Sequence, residues 1–216
     1  MHSTPADNEL KEEHLLNFVV NSLDEQLSFD LGDNVKLTTE KLYEALAGAS
    51  TGGSSINHVY ESTEDSPHAN TVRGHLTDQF DLDAVESVGD TLLQRDILET
   101  LPDRPMEVCT DIHLDPYYGV EEATEALYSS KAKRGTTSFH AYATLYVRVR
   151  NKLYTLAVRQ LTAGETTGDA LGEFLKLLDD LDLGVKAVCL DRGFYNSTCL
   201  SLLCAYNYAY VVPIIK

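Results

Sequence analysis

The pattern of hydrophobic and polar positions divides the chain in two. Leu15, Leu16, Val19, Val20, Leu23 and Leu27 recur at the spacing of an amphipathic helix over residues 9–27. Thr38 is a good N-cap for a second helix, Thr39-Glu-Lys-Leu-Tyr-Glu-Ala-Leu-Ala47, which Gly48 is expected to end. Residues 48–70 are small and polar, and predict a flexible linker or long loop. A short helix is expected from Thr71 to Gln79. Another starts near Asp81 and runs to about residue 98, with Leu82, Val85, Val88, Leu92 and Leu93 on one side. Pro102 and Pro105 close this part, so residues 1–104 are expected to form an all-helical region.

From residue 105 the period changes. Met106–Leu114 predicts a strand, and Phe139–Arg150, rich in aromatic and β-branched residues, alternates toward its end as a second. Asn151-Lys152 is the expected turn into a third strand, Leu153–Leu161. Thr166-Thr-Gly-Asp169 starts a helix through Leu181, with Leu171, Phe174, Leu175, Leu177 and Leu178 apolar. Val185–Asp191 is a fourth strand, Ser197–Tyr206 a helix and Tyr208–Ile215 a fifth strand. The order β-β-β-α-β-α-β predicts an α/β fold with a mixed sheet.

Charge sharpens this division. The 216 residues carry 17 Lys+Arg against 34 Asp+Glu. Residues 1–110 hold 6 basic and 22 acidic residues, and residues 111–216 hold 11 and 12. An acidic chain argues against a polyanionic partner, unless the acids serve solubility in concentrated salt, where charges are screened within about 3 Å at 1 M. One stretch departs from the trend. Between Ala126 and Gly164 there are seven basic residues and no acid. Lys131, Lys133 and Arg134 are expected on a flexible loop, and Arg148 and Arg150 on one face of a strand, as phosphate-backbone contacts or as counter-charge to the acidic half. The polar, acidic N-terminus is unlike a signal peptide, and no apolar run reaches the roughly 18 residues of a membrane span. Cysteines 109, 189, 199 and 204 form no Cys-x-x-Cys pair and sit in apolar segments, as expected of free thiols in a cytoplasmic protein.

Candidate chemistry centres on two similar segments, Cys109-Thr-Asp111 and Cys189-Leu-Asp191. Each places a carboxylate at the end of an apolar strand, where open α/β sheets hold their ligands. Two carboxylates from separate strands are the minimum for a divalent metal site. The plainer alternatives are a solvated strand-end acid for Asp111 and a helix N-terminal acid for Asp191. Asp115 and His113 share the Asp111 face if the strand continues, and Asp115 precedes Pro116 as a turn former would. If the two strands pair in parallel, Cys109 and Cys189 become neighbours, and a Cys₂Asp₂ zinc site is the competing use of the cluster. Arg192, beside Asp191, is a candidate phosphate contact.

Three segments carry a closer resemblance: Thr110-Asp-Ile-His-Leu-Asp-Pro-Tyr-Tyr-Gly119, Lys131-Ala-Lys-Arg-Gly-Thr-Thr137 and Leu190-Asp-Arg-Gly-Phe-Tyr195. Over about residues 70–216 the chain resembles the DDE transposases of insertion sequences, most of all those of halophilic archaea. The resemblance implies a ribonuclease-H-like fold for residues 105–216 and double-stranded DNA at transposon ends as partner, with a homodimer as an option. It implies two Mg²⁺ (or Mn²⁺) ions held by Asp111 and Asp191 as catalytic ligands. It also implies a third acid, a Glu, on a later helix. No Asp or Glu follows Asp191, so the core is expected to be incomplete at its C-terminus and inefficient at cutting or joining DNA by itself. Two other functions fit the same residues: a small metal-dependent phosphohydrolase, and a non-catalytic DNA-binding or dimerising fragment. The N-terminal helices suit DNA-end binding, packing or dimerisation. The segment 81–98, with Arg95 its only base, speaks against the first.

Overall fold

The computed structural model describes residues 12–32, 37–53, 55–61, 68–79, 81–95, 97–120 and 127–214. Residues 9–11 of the first expected helix, 62–67 of the expected linker and Ile215 of the last expected strand lie outside the described residues. The chain packs as two compact units, one up to Val88 and one from Gly89.

The first unit is helical. It holds α1 (Glu12–Asp24), α2 (Thr39–Gly52), α3 (Ile56–Glu61), α4 (Ala69–Gln79) and the start of α5 (Leu82–Arg95). Thr38 caps α2 as expected, its side chain accepting from the Lys41 N–H. The helix passes through Gly48 and stops at Gly53, whose left-handed φ of 56° closes the C-terminus. A Cβ at Gly48 would meet Val59 at ordinary contact distance, so nothing forces a break there. The region expected as a linker therefore contributes the end of α2, all of α3 and the start of α4. Leu31, Leu37, Leu42 and Val72 form a small core, and buried Tyr43 donates to the Leu27 carbonyl at 2.9 Å. α1 is only partly covered: Val20 is buried, whereas Leu15, Leu16 and Val19 are exposed.

The second unit is an α/β sheet. After α6 (Ile97–Thr100) come β1 (Met106–Pro116), β2 (Tyr128–Lys133), β3 (Thr136–Val149), β4 (Lys152–Leu161), α7 (Thr167–Asp180), β5 (Val185–Leu190), α8 (Ser197–Ala205) and β6 (Tyr210–Val211). β3 is antiparallel to β1 along one edge. On its other edge it pairs with β4 over most of its length and with β2 at its start. β1 is parallel to β5, and β5 to β6. The order β4-β3-β1-β5-β6, antiparallel on one side of β1 and parallel on the other, is the mixed arrangement expected of a ribonuclease-H-like core.

Three details differ from expectation. β2 is a strand where a loop was expected, and its hairpin with β3 turns at Arg134–Gly135. The β3–β4 turn is Arg150–Asn151, one residue earlier than expected, with Val149 paired to Lys152. β6 is two exposed residues rather than eight.

Alternation sets the faces. On β1, Met106, Val108 and Thr110 are buried, as are Ala141, Ala143, Leu145 and Val147 on β3 and Val188 and Leu190 on β5. These residues join Leu171, Phe174, Leu175 and Leu178 of α7 and Leu203 of α8 in one core. The opposite face carries Cys109, Asp111, Tyr142, Thr144, Tyr146 and Cys189. A bulge between Leu145 and Tyr146 inserts Leu156 into β4, which is why both Leu156 and Ala157 are buried.

α7 is fixed at its start by a capping box: the Thr166 hydroxyl accepts from the Gly168 and Asp169 N–H groups, and the Asp169 carboxylate accepts from the Thr166 N–H at 2.7 Å. These bonds to Thr166 hold the Asp169 carboxyl below its ordinary 3.8. A depressed carboxyl contributes stability above its unfolded value and loses it as pH falls through the folded one. Thr166→Ala is therefore expected to cost about 1 kcal/mol at pH 7 in urea unfolding, and progressively less as the pH is lowered below 3.8.

Candidate functional site

The parallel pairing of β1 and β5 builds the site. Glu107 faces Ala187, Val108 faces Val188, Cys109 faces Cys189 and Thr110 faces Leu190. Asp111 and Asp191 are the next residue on each chain segment, on the face opposite α7 and α8. Asp191 follows the carboxyl end of β5, whereas β1 runs on to Pro116 because β3 continues to pair with it, so Asp111 stands mid-strand and not at the strand end expected, and Asp115 lies in the strand and not in a turn. The expected neighbourhood of Cys109 and Cys189 is met by the same register.

Each aspartate is held by its backbone and exposed at its side chain. Asp111 pairs across with Thr144 of β3. Its Oδ1 accepts from the Ile112 N–H at 2.8 Å, and the Thr144 hydroxyl reaches its carbonyl at 3.5 Å. Asp191 follows β5 in extended geometry, φ −70° and ψ 163°, and leads a short 3-10 turn over Arg192–Phe194. Its carbonyl accepts from the Phe194 N–H at 3.1 Å, while its side chain caps nothing. Asp191 thus stands at the N-terminus of this short turn, as the plainer alternative expected, without capping it through its side chain. Fully buried Phe194 anchors the turn in the core.

Beneath the carboxylates lie two thiols and a phenol. Cys109 pairs with Cys189 of β5 on one side and with Tyr146 of β3 on the other. Burial first, then the neighbouring Cys189, push the Cys109 thiol up to about 11. Burial, then the Cys109 and Asp111 charges, raise Tyr146. Among the described residues no group of three His, Cys, Asp or Glu side chains converges as a metal site, so the Cys₂Asp₂ zinc arrangement is not assembled. His113 and Asp115 lie further along β1, opposite Tyr142 and His140.

The basic residues fall into two groups at opposite ends of β3. Lys131 and Lys133 lie on β2, and Arg134 with Gly135 forms the β2–β3 tip. This hairpin extends past the carboxylate end of β1, since Phe139 already faces Pro116. Tyr118 ties the tip down by donating to the Arg134 carbonyl at 2.9 Å. At the other end, Arg148 faces Glu107 and Arg150 sits in the β3–β4 turn rather than on a strand face. There Arg104, Arg148, Arg150 and Lys186 line a cleft of about 410 Å³. Lys186 is the bulged residue between the Met106 and Glu107 pairings and reaches Glu107 at 3.2 Å. Arg104 and Lys186 carry no local sequence signal; only the topology brings them to Arg148. Arg192 is exposed beside Asp191.

Both tips have positive φ at their two central residues: Arg134 (51°) and Gly135 (87°), Arg150 (49°) and Asn151 (65°). Two-residue hairpins of this kind favour Asn, Asp or Gly at the first position. An arginine there costs of order 1 kcal/mol or more, and at both tips that cost places a guanidinium at the outermost point.

Arg159, also within the acid-free stretch, has a structural use. It pairs with Asp90 at 2.6 Å and with Glu173 at 2.9 Å; its side chain is 15% exposed and that of Asp90 14%. Arg159→Ala strands the Asp90 carboxylate and is expected to cost about 3 kcal/mol in urea unfolding. Exposed Lys152→Ala should stay within about 0.5 kcal/mol.

No helix among the described residues is long and apolar enough to cross a membrane. No protein-family model matches the chain, and no curated protein matches it. Among solved structures the chain is similar to a Drosophila P element transposase strand transfer complex, at 15% identity and a TM-score of 0.43, covering 93% of this chain and 46% of that one. It is similar to a piggyBac transposase synaptic complex with hairpin DNA at 13% identity and a TM-score of 0.40, covering 94% and 41%. A Mos1 strand transfer complex follows at 11% identity and a TM-score of 0.25, covering 95% and 66%. The chain thus spans less than half the length of the first two.

Proposed function

We propose that the chain is a DNA-binding core of the DDE transposase type, with Asp111 and Asp191 holding divalent cations against a DNA phosphate. The observation that carries this reading is the pair of exposed carboxylates one residue past the Thr110–Leu190 rung of two adjacent parallel strands. Hard carboxylate oxygens open to water suit Mg²⁺ or Mn²⁺, which retain water ligands and need few protein groups. When bound, two such ions neutralise charge at the attacking and leaving oxygens of a phosphodiester. The protein's own part is positional. β1 and β5 bring the two carboxylates to neighbouring strands, and Arg192 stands next to Asp191 as a phosphate contact. The hairpin cations Lys131, Lys133 and Arg134, and the opposite group of Arg148 and Arg150, would hold the DNA backbone without reading bases. The acid excess elsewhere fits a protein that works in concentrated salt.

In a calorimetric Mn²⁺ titration, Asp111→Asn and Asp191→Asn should each weaken binding about tenfold or more, with His113→Ala and Asp115→Asn near wild type. Equal loss in Asp115→Asn, or wild-type binding in Asp191→Asn, would move the site elsewhere.

The lack of a third converging acid among the described residues favours a second reading, DNA binding without cleavage. The two readings share the backbone contacts and divide on chemistry. Anisotropy of a labelled duplex across a salt series should show a steep loss of affinity. Arg134→Ala and Arg150→Ala should each reduce the slope by about 1, with exposed Lys176→Ala unchanged. Mn²⁺-dependent nicking of that duplex, abolished by Asp191→Asn, would select the catalytic reading; its absence alongside intact binding selects the other.

A further inference from the structure

The register that aligns the carboxylates also aligns two thiols directly beneath them. We propose that Cys109 and Cys189 are a modification site: a dithiol pair that closes to a reversible cross-strand disulfide and, by doing so, alters divalent-cation binding at Asp111 and Asp191.

The geometry carries the first half. Cys109 and Cys189 are direct partners in the parallel register of β1 and β5, on the same face of the sheet. Neighbouring strands lie about 4.8 Å apart, inside the roughly 4.4–6.8 Å span of disulfide Cα separations. Both side chains are free and half-buried, on the face that α7 and α8 do not cover, so a small oxidant reaches them. The other two cysteines lack such a partner. Cys199 is buried with the Thr167 hydroxyl at 3.6 Å, and Cys204 is exposed on α8.

The chemistry needs a peroxide and nothing else. One sulfur attacks the O–O bond of hydrogen peroxide; that bond breaks, a sulfenic acid forms and one water leaves. The second sulfur then attacks the first, the S–O bond breaks, the S–S bond forms and a second water leaves. Two thiols and one peroxide give one disulfide and two waters. In a disulfide the Cβ atoms sit about 3.5–4.5 Å apart, closer than in-register neighbours on unperturbed strands. Closing the bond therefore draws β1 and β5 together at this one rung. Strained bridges of this type are the readily reduced, regulatory kind.

The second half rests on the metal reading above. Asp111 and Asp191 each stand two residues beyond a bridging cysteine on the same strand face, so a local change in strand spacing passes directly to the carboxylates.

The test uses the full chain. Reduced protein is treated with hydrogen peroxide, residual thiols are blocked with N-ethylmaleimide, and digests are mapped by mass spectrometry. The expected product is a link between the peptides carrying Cys109 and Cys189. It should be reversed by dithiothreitol, absent in Cys109→Ser and Cys189→Ser, and retained in Cys204→Ser. Sulfinic acid at Cys109 without the link, or links through Cys204 alone, would overturn the site. Mn²⁺ titration then reads the switch: oxidation should weaken binding by about fivefold in wild type and leave Cys109→Ser unchanged. Unaltered Mn²⁺ affinity in fully bridged protein overturns the switch but not the bridge. Absence of Mn²⁺ binding in the reduced protein overturns the metal reading and the switch together, and the bridge is still judged by the peptide map.

Discussion

The parallel register of β1 on β5 is the constraint on which the second unit depends. Side chains alternate with a period of two, so a slip of one residue in β5 would turn Asp191 and Cys189 to the helical face and expose Val188 and Leu190. Each large apolar side chain returned to water costs about 1.5–3 kcal/mol, and the buried thiol and carboxylate would add more. The sum consumes much of the 5–15 kcal/mol by which a domain is stable. The register is therefore enforced by the core, and the placement of the two carboxylates follows from burial on the other side of the sheet. Phe194 extends the same control past the strand end, because the turn that begins at Asp191 cannot swing without pulling a fully buried ring out of the core.

The N-termini of α7 and α8 secure the crossover that makes this pairing parallel. Thr166 and Asp169 satisfy the first amide groups of α7, Asn196 caps α8 by accepting from the Cys199 N–H, and the Asn196 side-chain amide donates to Thr167 at 3.0 Å. Gly168 is required where the two helix starts meet, since a Cβ there would approach the Thr198 methyl at 2.8 Å. The helix cap, the helix contact and the strand register thus act as one unit, with the exposed aspartates at its edge.

Much of this was legible in the sequence because it depends on local pattern. The caps at Thr38 and Thr166, the alternation of β3 and the two Cys-x-Asp segments all lie within short windows; the structure shows both caps, the alternation and the pairing of Cys109 with Cys189. What escaped depends on partners far along the chain. Tyr128-Ser-Ser-Lys-Ala-Lys133 has little apolar alternation and is a strand because the start of β3 offers it a free edge. Arg159 looks like one more cation in a basic stretch until Asp90, 69 residues away, is seen to bind it. The β3–β4 turn was misplaced by one residue because arginine is a poor choice for a left-handed turn position, so the usual turn chemistry pointed to Asn151-Lys152. Gly48 signalled a helix end that the chain does not use, since the left-handed cap needed there is supplied by Gly53.

The separation of the two basic groups limits how a nucleic acid can use them under the proposed function. β3 spans 14 residues, about 44 Å at 3.4 Å per residue before twist, with the Arg134 tip at one end and the Arg150 tip at the other. That exceeds the roughly 34 Å of one duplex turn. Asp111 pairs with Thr144, five residues from the Arg150 end of the strand and eight from its start, so it lies between the two groups and adjoins neither. The phosphates met by the two tips would be well separated from each other and from the one nearest the carboxylates. Only Arg192 stands beside the acids in sequence. The hairpin cations are thus suited to supporting a long stretch of backbone, while any charge compensation close to Asp111 and Asp191 falls to Arg192 and to bound cations. At high salt, where each isolated contact is screened, anchoring at two distant points with arginines at fixed turn positions keeps an orientation that a single mobile patch would lose.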